Sequence, residues 1–209
     1  MTPDDSFNSG VKRPGSARFN FNELIFEDRV HQTIYTEEEI FREEMSKVFG
    51  GVWVYLAHES QIPENDNFVT SKLGLRPIIV VRDSTGRIRA LYNRCTHRGA
   101  TVCRSQQGSA KSFACPYHGW SYFNSGKISG VLWPDGYADD FSDPKYNLAQ
   151  VPRVQSYRGF IFGTLNPEMP SLESYLGGIK KPLDEWLDRH PGGTLSFCDA
   201  NRLKFNGNW

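Results

Sequence analysis

The sequence predicts a mainly β chain: a small antiparallel sandwich or barrel of short strands, with one helix before it and a short helical stretch after it. Three observations carry that prediction. Short apolar or alternating runs follow one another between residues 52 and 165, each bounded by turn residues. Two tripeptides, Ser84-Thr85-Gly86 and Asn124-Ser125-Gly126, separate such runs in the manner of hairpin turns. One helical periodicity precedes them, and no internal repeat or low-complexity segment interrupts the pattern.

Taken in order, residues 1–20 mix Ser, Gly, Pro and charge without periodicity and predict a loose arm. Thr36 with Glu39 has the form of a capping box, and Ile40, Phe41, Met45 and Phe49 follow at near-helical spacing up to Gly50-Gly51. Strands are predicted over 52–57, 68–73, 77–82, 87–93, 112–115, 120–124, 151–157 and 159–165. After Asn166-Pro167, residues 171–176 and 182–188 read as helical, and 194–205 reads as one further strand.

Composition narrows the function. The chain has 209 residues, with 24 Lys and Arg against 24 Asp and Glu, so nothing calls for a polyanion and nucleic acid is not an expected partner. The apolar runs fall far short of the roughly 20 residues that a membrane helix needs. The start, Met-Thr-Pro-Asp-Asp, lacks the apolar stretch of a secretory signal, so the expected location is the cytoplasm, with no membrane association. Four cysteines in such a chain do not form an expected disulfide framework. Cys103 and Cys198 have no His at ligand spacing and read as ordinary thiols.

Cys95 and Cys115 differ. They lie in Asn93-Arg94-Cys95-Thr96-His97-Arg98-Gly99 and Cys115-Pro116-Tyr117-His118-Gly119-Trp120, with 17 residues between His97 and Cys115. Each segment offers one thiolate and one imidazole. Zinc sites more often place Cys with Cys and His with His. A mixed pair on each loop suits a two-iron cluster in which one iron takes two thiolates and the other two imidazoles. A structural zinc module remains the alternative reading of the same four side chains. Gly99 and Gly119 let the backbone turn tightly after each His.

The pattern C-x-H-R-G followed by C-P-Y-H-G-W resembles the Rieske domain of aromatic ring-hydroxylating oxygenase large (alpha) subunits. The resemblance takes in the preceding helix, the sandwich strands, a closing strand at Gly159–Asn166 and, at Lys204–Trp209, the entry into that family's catalytic domain. It implies a Rieske [2Fe-2S] antiparallel β-sandwich over residues 51–166. An N-terminal arm and helix would occupy 1–50, and linker helices with the truncated start of an α+β (helix-grip) catalytic domain would occupy 167–209. It implies that Cys95, His97, Cys115 and His118 bind the cluster. Electrons would come from a reductase or ferredoxin and pass to a mononuclear non-haem Fe(II), present only in the full-length protein, that activates O2 for ring hydroxylation. Neighbouring alpha subunits in a trimer, and beta subunits, are the further partners implied.

In that family the ligands of the mononuclear iron lie downstream of the Gly-Asn-Trp segment, and this sequence stops at Trp209. No residue is therefore assigned a catalytic role, and the chain reads as the amino-terminal part of an oxygenase subunit. His31, His58 and His190 stand in no ligand arrangement and read as ordinary histidines. Respiratory Rieske proteins, which the motif also resembles, carry a disulfide between the loops where this chain has Ala100 and Tyr117. They have a Ser that bonds a cluster sulfur where it has Trp120, while Tyr122 remains a candidate sulfur donor. Fewer donors to sulfur imply a potential at the low end of the Rieske range, on the order of −150 mV. The Cys95–Cys103 stretch and the Trp133-Pro134-Asp135-Gly136 loop most resemble the benzoate, anthranilate and salicylate branch, which points to an aromatic carboxylate substrate. A free-standing Rieske ferredoxin is the alternative class.

Overall fold

The run Ile78-Ile79-Val80-Val81 is apolar at every position, whereas a strand with one wet face alternates. In the computed structural model, which describes residues 19–138, 141–189, 191–192, 194–200 and 203, both faces of this strand are covered. Among the described residues the strands are β1 (Val54–His58), β2 (Asn67–Leu73), β3 (Arg76–Arg82), β4 (Ile88–Tyr92), β5 (Gln107–Ser109), β6 (Ser112–Ala114), β7 (Ser121–Phe123), β8 (Ile128–Gly130), β9 (Arg153–Tyr157) and β10 (Phe160–Thr164). They form three antiparallel sheets, β1-β10-β9, β4-β3-β2-β5 and β6-β7-β8.

The four-stranded sheet is the shared middle layer. Its register sets Ile79 opposite Leu91 and Phe68 opposite Val81, and all four join one core with Phe113 and Tyr122 of the β6-β7-β8 sheet. The neighbouring positions Val69, Ile78, Val80 and Ala90 point the other way, into a second core with Leu56, Ala57 and Ile161 of the β1-β10-β9 sheet. Alternate side chains of one strand thus serve two cores. Each fully buried aliphatic side chain contributes about 1.5–3 kcal/mol. The first core is the one that carries the site, because Cys95, Cys115 and Trp120 belong to it.

Two hairpins form at the predicted turns, with Gly86 N–H bonded to Asp83 C=O and Gly126 N–H to Phe123 C=O. At the first, the buried Asp83 carboxylate accepts bonds from Thr85 N–H and Oγ1 and Arg87 N–H, and pairs with Arg89. Burial alone would push its pKa up, but these donors outweigh it and hold it at about 2.

Chain contacts divide the molecule into two units, one from the described parts of residues 1–44 and 201–209, the other residues 45–200. In the first unit the expected capping box is absent. A single helical turn, α1 (Thr33–Thr36), precedes the expected start, and the chain extends at Glu37 before α2 (Glu38–Glu43). Thr36 Oγ1 donates back to Gln32 C=O, so its hydroxyl serves the turn behind it rather than the helix ahead. A wider π-type turn, Glu44–Val48, continues from α2.

In the second unit, α3 (Leu172–Leu176) begins on Ser171, whose Oγ accepts from Ser174 N–H. α4 (Lys180–Leu187) is fastened to the β9–β10 hairpin by Asp184, which accepts from Tyr157 Oη and pairs with Arg158. Strands β5 and β8 were not predicted, and of the strand expected over 194–205 the described residues 194–200 pair with no other strand. No helix among the described residues is long and apolar enough to cross a membrane.

Candidate metal centre

Two loops make the site, and they share one backbone frame. After β4, Cys95 N–H donates to Ala100 C=O, and Gly99 N–H returns to Cys95 C=O, both at 2.8 Å. After β6, Cys115 N–H donates to Trp120 C=O at 2.7 Å and Gly119 N–H returns to Cys115 C=O at 3.0 Å. The frame is identical although His97 stands two residues after its Cys and His118 three. Closing it requires the left-handed backbone of Gly99 (φ +73°) and Gly119 (φ +71°). A Cβ on Gly119 would overlap the Leu132 side chain, and one on Gly99 would come within 2.9 Å of the Arg94 guanidinium.

The first loop is held from inside by Asn93. Its buried amide accepts from Val102 N–H (3.1 Å) and Cys103 N–H (2.7 Å) and donates to Cys103 C=O (2.6 Å). Sequence reasoning gave Asn93 no role. The signal available was its place directly before the first Cys loop, where a short amide can tie both ends of a turn.

The four predicted ligand residues meet as two pairs, one of thiols and one of imidazoles. Cys95 and Cys115 are buried side by side, and the His97 and His118 rings lie 4.8 Å apart. Trp120 stacks on His97 at 4.7 Å with the planes 5° apart, and its indole meets Tyr137, Phe141 and Tyr146 edge-on or tilted. Tyr117, though exposed, covers the His118 ring at 3.8 Å. The Arg98 guanidinium lies over Tyr117 at 5.9 Å. Tyr122, fully buried, places its hydroxyl 3.1 Å from Cys95 Sγ.

The electrostatics ask for a positive group. Burial pushes the Cys95 thiol up, with Cys115 adding to it against the lowering effect of Tyr122, so paired thiolates here need a cation. Burial, then His118 and Arg98, push the His97 imidazole below its ordinary range and favour the neutral, ligating ring. His97 Nδ1 is buried without a hydrogen-bond partner. Burial also pushes the Tyr122 hydroxyl well above the usual phenol range, so it keeps its proton to donate. Among the described residues no three His, Cys, Asp or Glu side chains gather around one point as a single metal ion requires. Two sulfurs beside two imidazoles fit a binuclear [2Fe-2S] group instead.

The remaining candidates lie elsewhere. His58 is buried and caps the turn Glu59–Gln61, accepting from Ser60 N–H, and His31 Nδ1 accepts from Thr33 N–H. Cys103 is a buried free thiol and Cys198 an exposed one. His190 and Lys204–Trp209 lie outside the described residues.

A sheet sandwich bearing two Cys/His loops of this geometry defines a Rieske protein. Residues 52–138 match the family profile described as "Rieske [2Fe-2S] domain". The chain carries a Rieske domain and is homologous to the alpha subunits of aromatic ring-hydroxylating dioxygenases. It is 40% identical over 191 residues to toluate 1,2-dioxygenase subunit alpha of Pseudomonas putida, a match covering 90% of this chain and 42% of that subunit. It is 40% identical over 197 residues to the anthranilate 1,2-dioxygenase large subunit of Acinetobacter baylyi, covering 93% of this chain and 41% of the other. The crystal structure of naphthalene 1,2-dioxygenase from Rhodococcus sp. bound to indole superposes with a TM-score of 0.73 at 41% identity, over 81% of this chain and 39% of that one. The chain therefore spans about two-fifths of the length of these relatives.

Proposed function

We propose that this chain is the electron-entry part of the terminal oxygenase component of an aromatic ring-hydroxylating dioxygenase. Cys95, His97, Cys115 and His118 hold a Rieske [2Fe-2S] cluster, which when bound accepts and releases one electron at a time. The observation that carries the reading is the backbone frame shared by the two loops, from which come a pair of buried thiols and a pair of imidazoles that meet edge-on. The protein's own work is positional: Asn93 holds the first loop, Trp120 and Tyr117 fix the two imidazoles, and the aromatic packing around Trp120 keeps water from the sulfurs.

Electrons arrive from a reductase or ferredoxin and leave for a mononuclear iron outside residues 1–209, held by a neighbouring alpha subunit of a trimer to which beta subunits add. The substrate proposed is an aromatic carboxylate, supported by the names of the toluate and anthranilate relatives. Residues 51–166 form the Rieske domain, 1–50 an arm and helix, and 167–209 the approach to a helix-grip catalytic domain. The proposed location is the cytoplasm. Identity that extends well beyond residues 52–138 supports this reading over a free-standing ferredoxin. Metal analysis of the purified chain tests it: two irons and two acid-labile sulfides per chain are expected, and one zinc without sulfide would contradict it. Substrate is tested on the full-length oxygenase with its reductase, where benzoate-type acids should be hydroxylated in preference to unsubstituted aromatic hydrocarbons.

A further inference from the structure

Tyr122 has one hydroxyl proton and two acceptors within reach. Cys95 Sγ lies 3.1 Å from its oxygen and Thr96 Oγ1 lies 3.0 Å from it. The Thr96 hydroxyl has one proton as well, and it goes to Tyr146 C=O at 2.8 Å, an atom that can only accept. Thr96 Oγ1 therefore meets Tyr122 with lone pairs, and the contact between them uses the tyrosine's proton. Donation to the Tyr146 carbonyl polarises the threonine hydroxyl and makes its oxygen a better acceptor. Thr96 N–H also donates to the Tyr122 oxygen, at 3.3 Å. The phenol proton is thus divided between a sulfur and a threonine.

We infer that Thr96 is a positioning residue that sets the reduction potential of the centre by competing with Cys95 Sγ for the Tyr122 proton. The inference rests on the assignment of Cys95 as a cluster ligand. A hydrogen bond to a ligating sulfur stabilises the reduced, more negative state and raises the potential. The competitor holds the proton in the oxidised state and must give it up as the sulfur gains charge, so the bond lost to Thr96 opposes reduction and lowers the potential. Removing the competitor leaves the proton to sulfur alone.

The test is a double-mutant cycle on the chain carrying its cluster, read as iron and sulfide content and then as midpoint potential by voltammetry. Thr96→Val, which keeps the shape and removes the acceptor, should raise the potential, whereas Thr96→Ser should stay at the wild-type value. Tyr122→Phe should lower it, and Thr96→Val combined with Tyr122→Phe should match Tyr122→Phe alone, because no proton is left to divide. If Thr96→Val fails to fold, Thr96→Ala carries the same expectation. A full cluster with an unchanged or lower potential in Thr96→Val would overturn the inference and leave the ligand assignment standing. So would a Thr96→Val shift of equal size in the Tyr122→Phe background. A wild-type chain that holds no iron–sulfur cluster would overturn the ligand assignment and this inference with it.

Discussion

Replacing Asn93 with Leu removes the tie inside the first loop while keeping a side chain of similar size. Three bonds go: those from Val102 N–H and Cys103 N–H, and that to Cys103 C=O. Val102 and Cys103 are buried, so water cannot replace the lost partner. Each buried polar group left unpaired costs about 1–3 kcal/mol, and three sharing one side chain do not add fully, which puts the loss at about 3–5 kcal/mol. For a domain of this size about 2–4 °C of Tm follows each kcal/mol, so the melting point should fall by about 10 °C. The loop that loses its tie carries Cys95 and His97, so iron should also leave faster to a chelator. Differential scanning calorimetry and the rate of bleaching with chelator read the two effects. A Tm within about 2 °C of wild type together with unchanged iron retention would refute the role given to Asn93.

Acid should act through Asp83. Its folded pKa of about 2 lies below the ordinary aspartate value of 3.8, so its contribution is complete above the latter and is lost as pH falls through the former. That contribution is about 2 kcal/mol, and Asp83→Asn should remove it at neutral pH and flatten urea-measured stability between about pH 4 and 2. Trp120→Ala should cost about 3–5 kcal/mol by opening a cavity beneath His97, and Trp120→Phe much less, as chemical denaturation will show. Gly119→Ala should destabilise the second loop through both its overlap with Leu132 and its left-handed backbone. Adding Leu132→Ala should relieve only the overlap, leaving about 1–2 kcal/mol in the same assay.

Strand β3 was legible as a strand because Ile78 to Val81 are all apolar, and the structure covers both of its faces. Hairpin turns were legible because Ser84-Thr85-Gly86 and Asn124-Ser125-Gly126 put polar residues and a glycine directly after a strand-like run. Strands β5 and β8 carry no such mark. Each is a three-residue edge strand, largely exposed, and its pairing is dictated by the neighbour rather than by its own side chains. Thr36 misled because Ser, Thr and acidic residues make the same local bonds on either side of a helix start, and the choice fell to the extended backbone at Glu37.

At the site, the four candidate ligands were picked out by residue type and spacing together with the family resemblance. What surrounds them was not, since Asn93, Thr96, Tyr137 and Tyr146 act through contacts that span up to 50 residues of chain. Trp120 was placed correctly beside the site, but its ring stacks on an imidazole and its N–H faces Tyr137 Oη at 3.4 Å rather than a sulfur.

The central claim is that two sulfurs and two imidazoles of this chain hold one binuclear cluster. Electron–nuclear double resonance on the reduced chain, grown with isotope-labelled histidine, tests it directly. Two inequivalent nitrogen couplings from labelled imidazole are predicted, one lost in His97→Cys and the other in His118→Cys. A reduced cluster with no histidine nitrogen coupling would contradict the claim.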